Sequence, residues 1–222
     1  MKIFVVRHGE TSWNKEEVFR GRKDVPLNAT GLRQAERTGL FLADKNVSAI
    51  YSSPLVRAMQ TAARISDVAG VSVTPDDSFT DMAFGPWEGL SLTAVQATHP
   101  DVFETWRRWP HRFRIEGAET LAQVRRRARA GLRKAQERGG PALVIVTHRV
   151  VCKLLALLFL DMPNRFFWKI KCDPASITLA EQAGREVTVS MVNQTLHLQD
   201  PATRGDYGFL AEPHPADRPE CH

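Results

Sequence analysis

The chain has 222 residues, 43% of them hydrophobic, which is enough to bury a full core in one domain. A formal charge of +5 invites an acidic partner, and much of it is arginine between positions 107 and 138. No apolar run is long enough to cross a bilayer, and no basic-then-apolar leader precedes the first strand, so a cytoplasmic location is expected, with no membrane partner.

The chain opens on Ile3, Phe4, Val5 and Val6, a short apolar run with the character of a buried strand. It leads directly into Arg7-His8-Gly9-Glu10-Thr11. A polar stretch with Arg20, Gly21 and Pro26 reads as a loop. Thr30 is then a candidate N-cap for a helix with Leu32, Ala35, Leu40 and Leu42 apolar. A second strand is expected over Val47–Ser52, followed by a helix over 54–68, capped by Ser53 with Pro54 at its first position and Arg57 in its first turn. A short strand is expected at 71–74, and an irregular Gly-, Pro- and aromatic-rich stretch over 79–89. Helical pattern over 92–108 is crossed by Pro100, and a long amphipathic helix over 119–138 is stopped by Gly139-Gly140-Pro141.

The clearest buried strand is Ala142–Thr147, which delivers His148. A helix over 150–160 and closing strands at 176–180 and 186–192 follow. Strand and helix alternate throughout, which predicts a three-layer α/β/α sandwich with a mostly parallel central sheet. Residues 1–199 are expected to form the domain, and 200–222, rich in Pro, Gly and charge, a flexible C-terminal tail. Cys152, Cys172 and Cys221, odd in number and widely spaced, suggest neither a disulfide framework nor a zinc site. The arginine-rich segment reads as a solvated helix face rather than a nucleic-acid surface, because no aromatic stacking motif accompanies it.

Two apolar strands each end in a histidine. In a parallel sheet both emerge at one edge, so His8 and His148 can face one another across the crevice where α/β sheets bind ligands. Each histidine taken singly fits a hydrogen-bonded structural role. Arg7 and Arg57 sit just beyond strand ends, where planar guanidinium groups can grip an anion through paired hydrogen bonds.

These motifs, in this order, resemble the histidine phosphatase superfamily, the group of cofactor-dependent phosphoglycerate mutases and related phosphatases. The likeness runs through Arg7 to Thr11, Trp13-Asn14, Asp24 to Leu27, Thr30-Gly31, Ser52 to Leu55 with Arg57, Phe84-Gly85 with Trp87-Glu88-Gly89, Gly117 to Thr120, and Val146 to His148. The resemblance implies a phosphoglycerate mutase-like fold and a metal-independent phosphomonoesterase that needs no cofactor. His8 would form a phosphohistidine, and its other ring nitrogen would donate to a carbonyl near Gly9. Arg7, Arg57 and His148 would bind and stabilise the phosphoryl group, with Asn14 and the backbone of Arg149 adding contacts.

Aligning Phe84-Gly85 with the family pattern places Asp81 where Glu is usual, as the proton donor to the leaving oxygen. Glu88 is the competitor, read here as structural and capping the turn after it. Glu119 and Arg127 are either near the catalytic groups or an ion pair holding their helix. Arg20 and Gly21 occupy a loop that touches substrate in relatives; Arg20 itself reads as an exposed loop residue. Trp106, Trp109, Phe166, Phe167 and Trp168 read as core or lid packing.

The expected partner is a small phosphorylated metabolite, with no nucleic acid, and a homodimer is the assembly considered. The segment between Gly89 and Gly117 is shorter than in mutases, which favours water as the phosphoryl acceptor. The residues Thr147 to Lys153, with Phe167, Trp168 and Asp173, point weakly to the α-ribazole phosphatase branch. The alternatives are mutase-type transfer, a non-catalytic phosphate-binding module, and metal binding by His8, His148 and Asp81, which lack any local ligand spacing.

Overall fold

The computed structural model describes residues 1–199; the expected tail at 200–222, with Cys221, lies outside the described residues. Strand β1 (Lys2–Arg7) carries two faces of unlike destination, because side chains alternate along a strand. Ile3 and Val5 enter one core, Phe4 and Val6 the other. The strand is therefore central and apolar on both sides. Its parallel neighbour is β4 (Ala142–Thr147), and its antiparallel neighbour is β5 (Ile177–Ala183). Strands β2 (Val47–Ser52), β3 (Val73–Pro75) and β6 (Glu186–Gln194) complete a six-stranded sheet of order β3-β2-β4-β1-β5-β6. Four strands are mutually parallel, and β5 and β6 form an antiparallel hairpin at one side.

On one face, α2 (Ala29–Leu42) and α3 (Val56–Ala69) bury Leu42, Ala58, Ala62 and Ile65 against Phe4, Val6, Ile50, Val144 and Val146. On the other, α6 (Leu121–Glu137) and α7 (Arg149–Phe159) bury Val124, Ala128, Leu132, Val151 and Leu155 against Ile3, Val5, Leu143 and Ile145. The expected three-layer α/β/α sandwich is thus present. The remaining α-helices among the described residues are the single turn α1 (Ser12–Lys15) and the pair α4 (Leu92–Thr98) and α5 (Pro100–Arg108), which Pro100 separates. Among the described residues no helix is long and apolar enough to cross a membrane.

Two helix starts differ from expectation. The cap of α2 is Asn28, not Thr30: its side chain accepts from Gly31 N at 2.8 Å, and its own amide is anchored to Glu10 Oε1 at 2.8 Å. Helix α3 begins at Val56, not Pro54, because Asp24 Oδ1 from a distant loop accepts the Val56 N–H at 2.7 Å. Ser53, the expected cap, accepts only the Leu55 N–H ahead of the helix, at 3.3 Å, and its Oγ also meets His148.

Candidate active site

The sheet register puts the site at one edge. Val6 pairs with Val146 and Arg7 with Thr147, so His8 and His148 follow as adjacent strand exits; His8 N donates to Thr147 O at 2.9 Å. Strand β2 ends beside them, with Ser53 N donating to Val146 O at 3.0 Å. Position 9 needs glycine because its backbone lies against α2: a Cβ there would sit 2.5 Å from Gly31 O. The two imidazole centroids are 5.1 Å apart, and both rings are buried.

His8 Nδ1 lies 2.6 Å from Gly9 O. A carbonyl only accepts, so Nδ1 carries the proton and Nε2 keeps its lone pair. Burial drives the His8 pKa well below the ordinary imidazole value, and Arg57, Arg7 and Arg20 push it the same way. The ring is neutral and nucleophilic. His148 is held low by burial and then by Arg57. Arg57 Nε donates to its Nδ1 at 3.2 Å, so its Nε2–H donates to Ser53 Oγ at 2.7 Å.

Arg7 donates one bond, Nη1 to Cys172 O at 2.6 Å, while its Nε and Nη2 are buried without a partner among the described residues. Asn14 spends its carbonyl on the Thr11 N–H at 2.9 Å, and its amide nitrogen is likewise buried and unpartnered. Orphaned buried donors are costly, about 1–3 kcal/mol each, and their convergence is what an anion cradle requires. Arg57, fully buried in the first turn of α3, is instead engaged: Nη1 on Lys23 O and Nη2 on Gly21 O, both 2.8 Å, and Nη2 also 3.3 Å from Asp81 Oδ2.

Asp81 is 6% exposed, with Oδ1 accepting from Met82 N at 2.9 Å and Oδ2 3.7 Å from His148 Nδ1. Burial raises its pKa, against the pull of Arg57 and Arg20, so its proton is retained to higher pH than in an ordinary aspartate. The stretch that carries it is gripped from both sides. Arg127 donates to Ser78 O at 3.0 Å, Thr80 O at 2.6 Å and Asp81 O at 3.0 Å, and is itself held by Glu119 through two bonds of 2.9 Å. Glu119 also accepts from Ala83 N at 3.0 Å. Both readings of the Glu119–Arg127 pair therefore apply: it is an ion pair, and it positions the Asp81 backbone.

Glu88 turns back instead of forward. Its Oε1 accepts from Phe84 N at 3.0 Å and Arg22 N at 3.1 Å, closing the preceding turn Gly85–Trp87 and tying it to the 20s loop. The turn that Glu88 caps is the one before it, not the one after it.

Arg20 corrects the expectation of exposure. It is only 5% exposed, because Phe19 is drawn into an aromatic cluster (4.9 Å from Trp87, 5.2 Å from Phe84) and pins the loop inward. Arg20 and Gly21 line a cavity of about 30 Å³ beside Asp81, together with Phe84, Trp106, Arg149 and Trp168. Arg149, the first residue of α7, is 9% exposed and lies over the Trp168 ring at 5.5 Å. Trp106, Phe167 and Trp168 are buried as expected, whereas Trp109 is 37% exposed. Among the described residues no group of three His, Cys, Asp or Glu could hold a metal. Three supporting residues lie outside the predicted site: Ser53 for His148, Cys172 for Arg7, and Thr61, whose Oγ1 accepts from Gly9 N at 3.1 Å. Their roles depend on a side chain or carbonyl arriving from a distant element, although Ser53 at a strand exit is a place worth searching.

A neutral buried imidazole, a second beside it, buried unpartnered donors and a carboxyl whose pKa burial raises are the groups that phosphoryl transfer requires. Residues 3–195 match the model of the histidine phosphatase superfamily (branch 1), and the chain belongs to that superfamily: it is a histidine phosphatase, of the phosphoric monoester hydrolase class. It is 30% identical over 199 residues to phosphoserine phosphatase 1 of Hydrogenobacter thermophilus, covering 89% of this chain and 94% of the relative. Among solved structures it superposes on Bacillus stearothermophilus YhfR with a TM-score of 0.84 at 29% identity, covering 88% of this chain and 98% of that one. The α-ribazole phosphatase from Shigella flexneri gives a TM-score of 0.80 at 23% identity, over 87% of this chain and 96% of that one, a likeness of fold alone.

Proposed function

We propose that the protein hydrolyses a small phosphorylated metabolite through a phosphohistidine on His8, without a metal, in the cytoplasm. The observation that carries this is His8 itself: buried, neutral, with its Nδ1–H held by Gly9 O and Nε2 left as the nucleophile beside the unpartnered donors of Arg7 and Asn14. In the first step the Nε2 lone pair attacks phosphorus and the ester P–O bond breaks. The Asp81 proton passes to the departing oxygen, so a neutral alcohol leaves. In the second step Asp81, now a carboxylate, takes a proton from water as that oxygen attacks phosphorus. The P–N bond breaks, phosphate departs, and His8 and Asp81 return to their starting states. Arg7 and Asn14 hold the phosphoryl oxygens with their unpartnered donors, beside the N-terminal backbone of α7 at Arg149, where the helix dipole favours an anion; His148 and Arg57 join them by exchanging their bonds to Ser53 Oγ and the loop carbonyls for the phosphoryl group.

The alcohol part lies on the Asp81 side, where Arg20, Gly21 and Arg149 line the cavity. Two buried guanidinium groups there favour a compact substrate with a second anionic group such as a carboxylate. Phosphoserine, named for the Hydrogenobacter relative, is an ester of that kind. Water is the acceptor in this reading because the segment between Gly89 and Gly117 is spent on α4, α5 and aromatic core residues such as Trp106 and Phe113. The test is phosphate release from p-nitrophenyl phosphate and a panel of phosphometabolites in EDTA, with wild type and His8→Ala. Release that vanishes in the variant, with an acid-labile phosphoryl label trapped on wild type, supports the scheme. A fully active His8→Ala refutes it.

A further inference from the structure

Helix α6 turns Arg127 toward the Asp81 backbone and, about 150° away at roughly 100° per residue, presents a different surface. Ala122, Arg125, Arg126 and Arg129 follow the i, i+3, i+4, i+7 spacing of a single stripe. The stripe walls an open groove of about 510 Å³, closed on its other side by Pro163, Asn164 and Arg165, with His111 in the lining. Arg125 spans it, Nη1 donating to Met162 O at 2.6 Å and Asn164 Oδ1 at 2.9 Å.

Among the described residues the charge of this groove is offset by a nearby carboxylate only at Arg125, on which Asp161 acts from outside the lining. Its lining holds four arginines and, among the described residues, no carboxylate. Arg126, Arg129 and Arg165 have no ion-pair partner among the described residues, whereas Arg22, Arg64 and Arg108 elsewhere on the surface each face one. His111 Nδ1 is buried without a hydrogen-bond partner among the described residues. Burial, then Arg112, Arg165 and Arg114, hold the ring below its ordinary pKa, so still more positive charge converges here.

We propose that this groove is a second anion site that binds a compact oligophosphate, separate from the phosphoryl-transfer site. Guanidinium forks suit phosphate oxygens, and four of them match the charge of a short phosphate chain. The volume is that of a small-molecule pocket. A nucleic-acid strand fits less well. Among the described residues the only aromatic ring in the lining is His111, and the nearby aromatics already carry arginines, Trp109 under Arg112 at 6.0 Å and Phe166 under Arg165 at 4.8 Å.

The test is calorimetric titration of tripolyphosphate into the whole protein saturated with orthovanadate, which occupies the phosphoryl site. Binding should persist under vanadate, weaken at least about tenfold in the double variant Arg126→Gln/Arg129→Gln, and weaken again with Arg165→Gln across the groove. Turnover of p-nitrophenyl phosphate without added oligophosphate should be unchanged, since all three residues are surface-facing and remote from His8. Adenosine triphosphate serves as the second ligand: binding tighter than tripolyphosphate marks a nucleotide as the source of the phosphate chain, and weaker binding marks a free oligophosphate. The proposal is overturned by the loss of binding under vanadate, by binding that the substitutions leave unchanged, or by a short single-stranded RNA that binds at least tenfold tighter than both.

Discussion

Replacing Asp81 with Asn separates proton donation from architecture. The amide keeps an oxygen for the Met82 N–H and nearly the same volume, but it has no proton to give and no charge to place 3.3 Å from Arg57 Nη2. Arg57 retains its bonds to Lys23 O and Gly21 O, so the structural loss is one charge-assisted contact, about 1.5–3 kcal/mol. General acid–base catalysis contributes about 10²–10⁴ in rate, or about 3–5 kcal/mol of barrier at 1.36 kcal/mol per decade. That loss should appear in full for an alkyl phosphate, whose alkoxide leaves poorly. It should shrink to about tenfold or less in the first step for p-nitrophenyl phosphate, whose anion leaves without a proton. Single-turnover kinetics on both substrates, with a thermal melt to confirm folding, makes the comparison. Equal losses on the two substrates in a folded variant would refute the assignment, and a large loss from Glu88→Gln on the alkyl ester alone would move the role to Glu88.

Four further outcomes are expected. The pH profile of kcat/KM should fall on its basic side as Asp81, raised by burial, loses its proton, and Asp81→Asn should remove that limb. The native pKa values of His8 and His148 lie below that of a free imidazole, so the unfolded chain binds more protons below about pH 6.5 and stability is lost as pH falls through that value; His8→Asn should lessen the loss, read as Tm from pH 5 to 7. Arg127→Met, which frees the carbonyls of Ser78, Thr80 and Asp81, should lower kcat about tenfold or more with a smaller change in KM, measured at steady state. Gly21→Ala forces a Cβ to within 2.1 Å of Glu88 Oε1 at a φ of +50°; it should cost about 1–2 kcal/mol in denaturant melts and weaken turnover through the Gly21 carbonyl that holds Arg57.

The sheet was legible because its strands are bounded apolar runs, and β1 and β4 declare their ends with histidines. Parallel pairing then makes the His8–His148 approach a consequence of topology. What was not legible depends on contacts across distance. Local rules put the α3 start at Ser53-Pro54, yet Asp24 caps Val56 and leaves Ser53 to His148. Arg20 has the sequence context of an exposed loop, and only the neighbouring Phe19, sunk among Phe84 and Trp87, turns it inward. Arg57 was legible as a strand-exit arginine, but not its tethering to two loop carbonyls, because backbone acceptors leave no trace in residue identity.

The central place of β1 also sets a schedule. The strand that carries Arg7 and leads into His8 is made well before its two partners, which begin at Ala142 and Ile177. At about 5–20 residues per second, a ribosome takes on the order of ten seconds or more to supply them. Throughout that interval the nascent chain holds an apolar strand with both hydrogen-bonding edges open, and the phosphoryl site does not exist in any partial form. Activity therefore arrives late and all at once, and a chain stopped short of β5 would leave β1 open to aggregation along its unpaired edge.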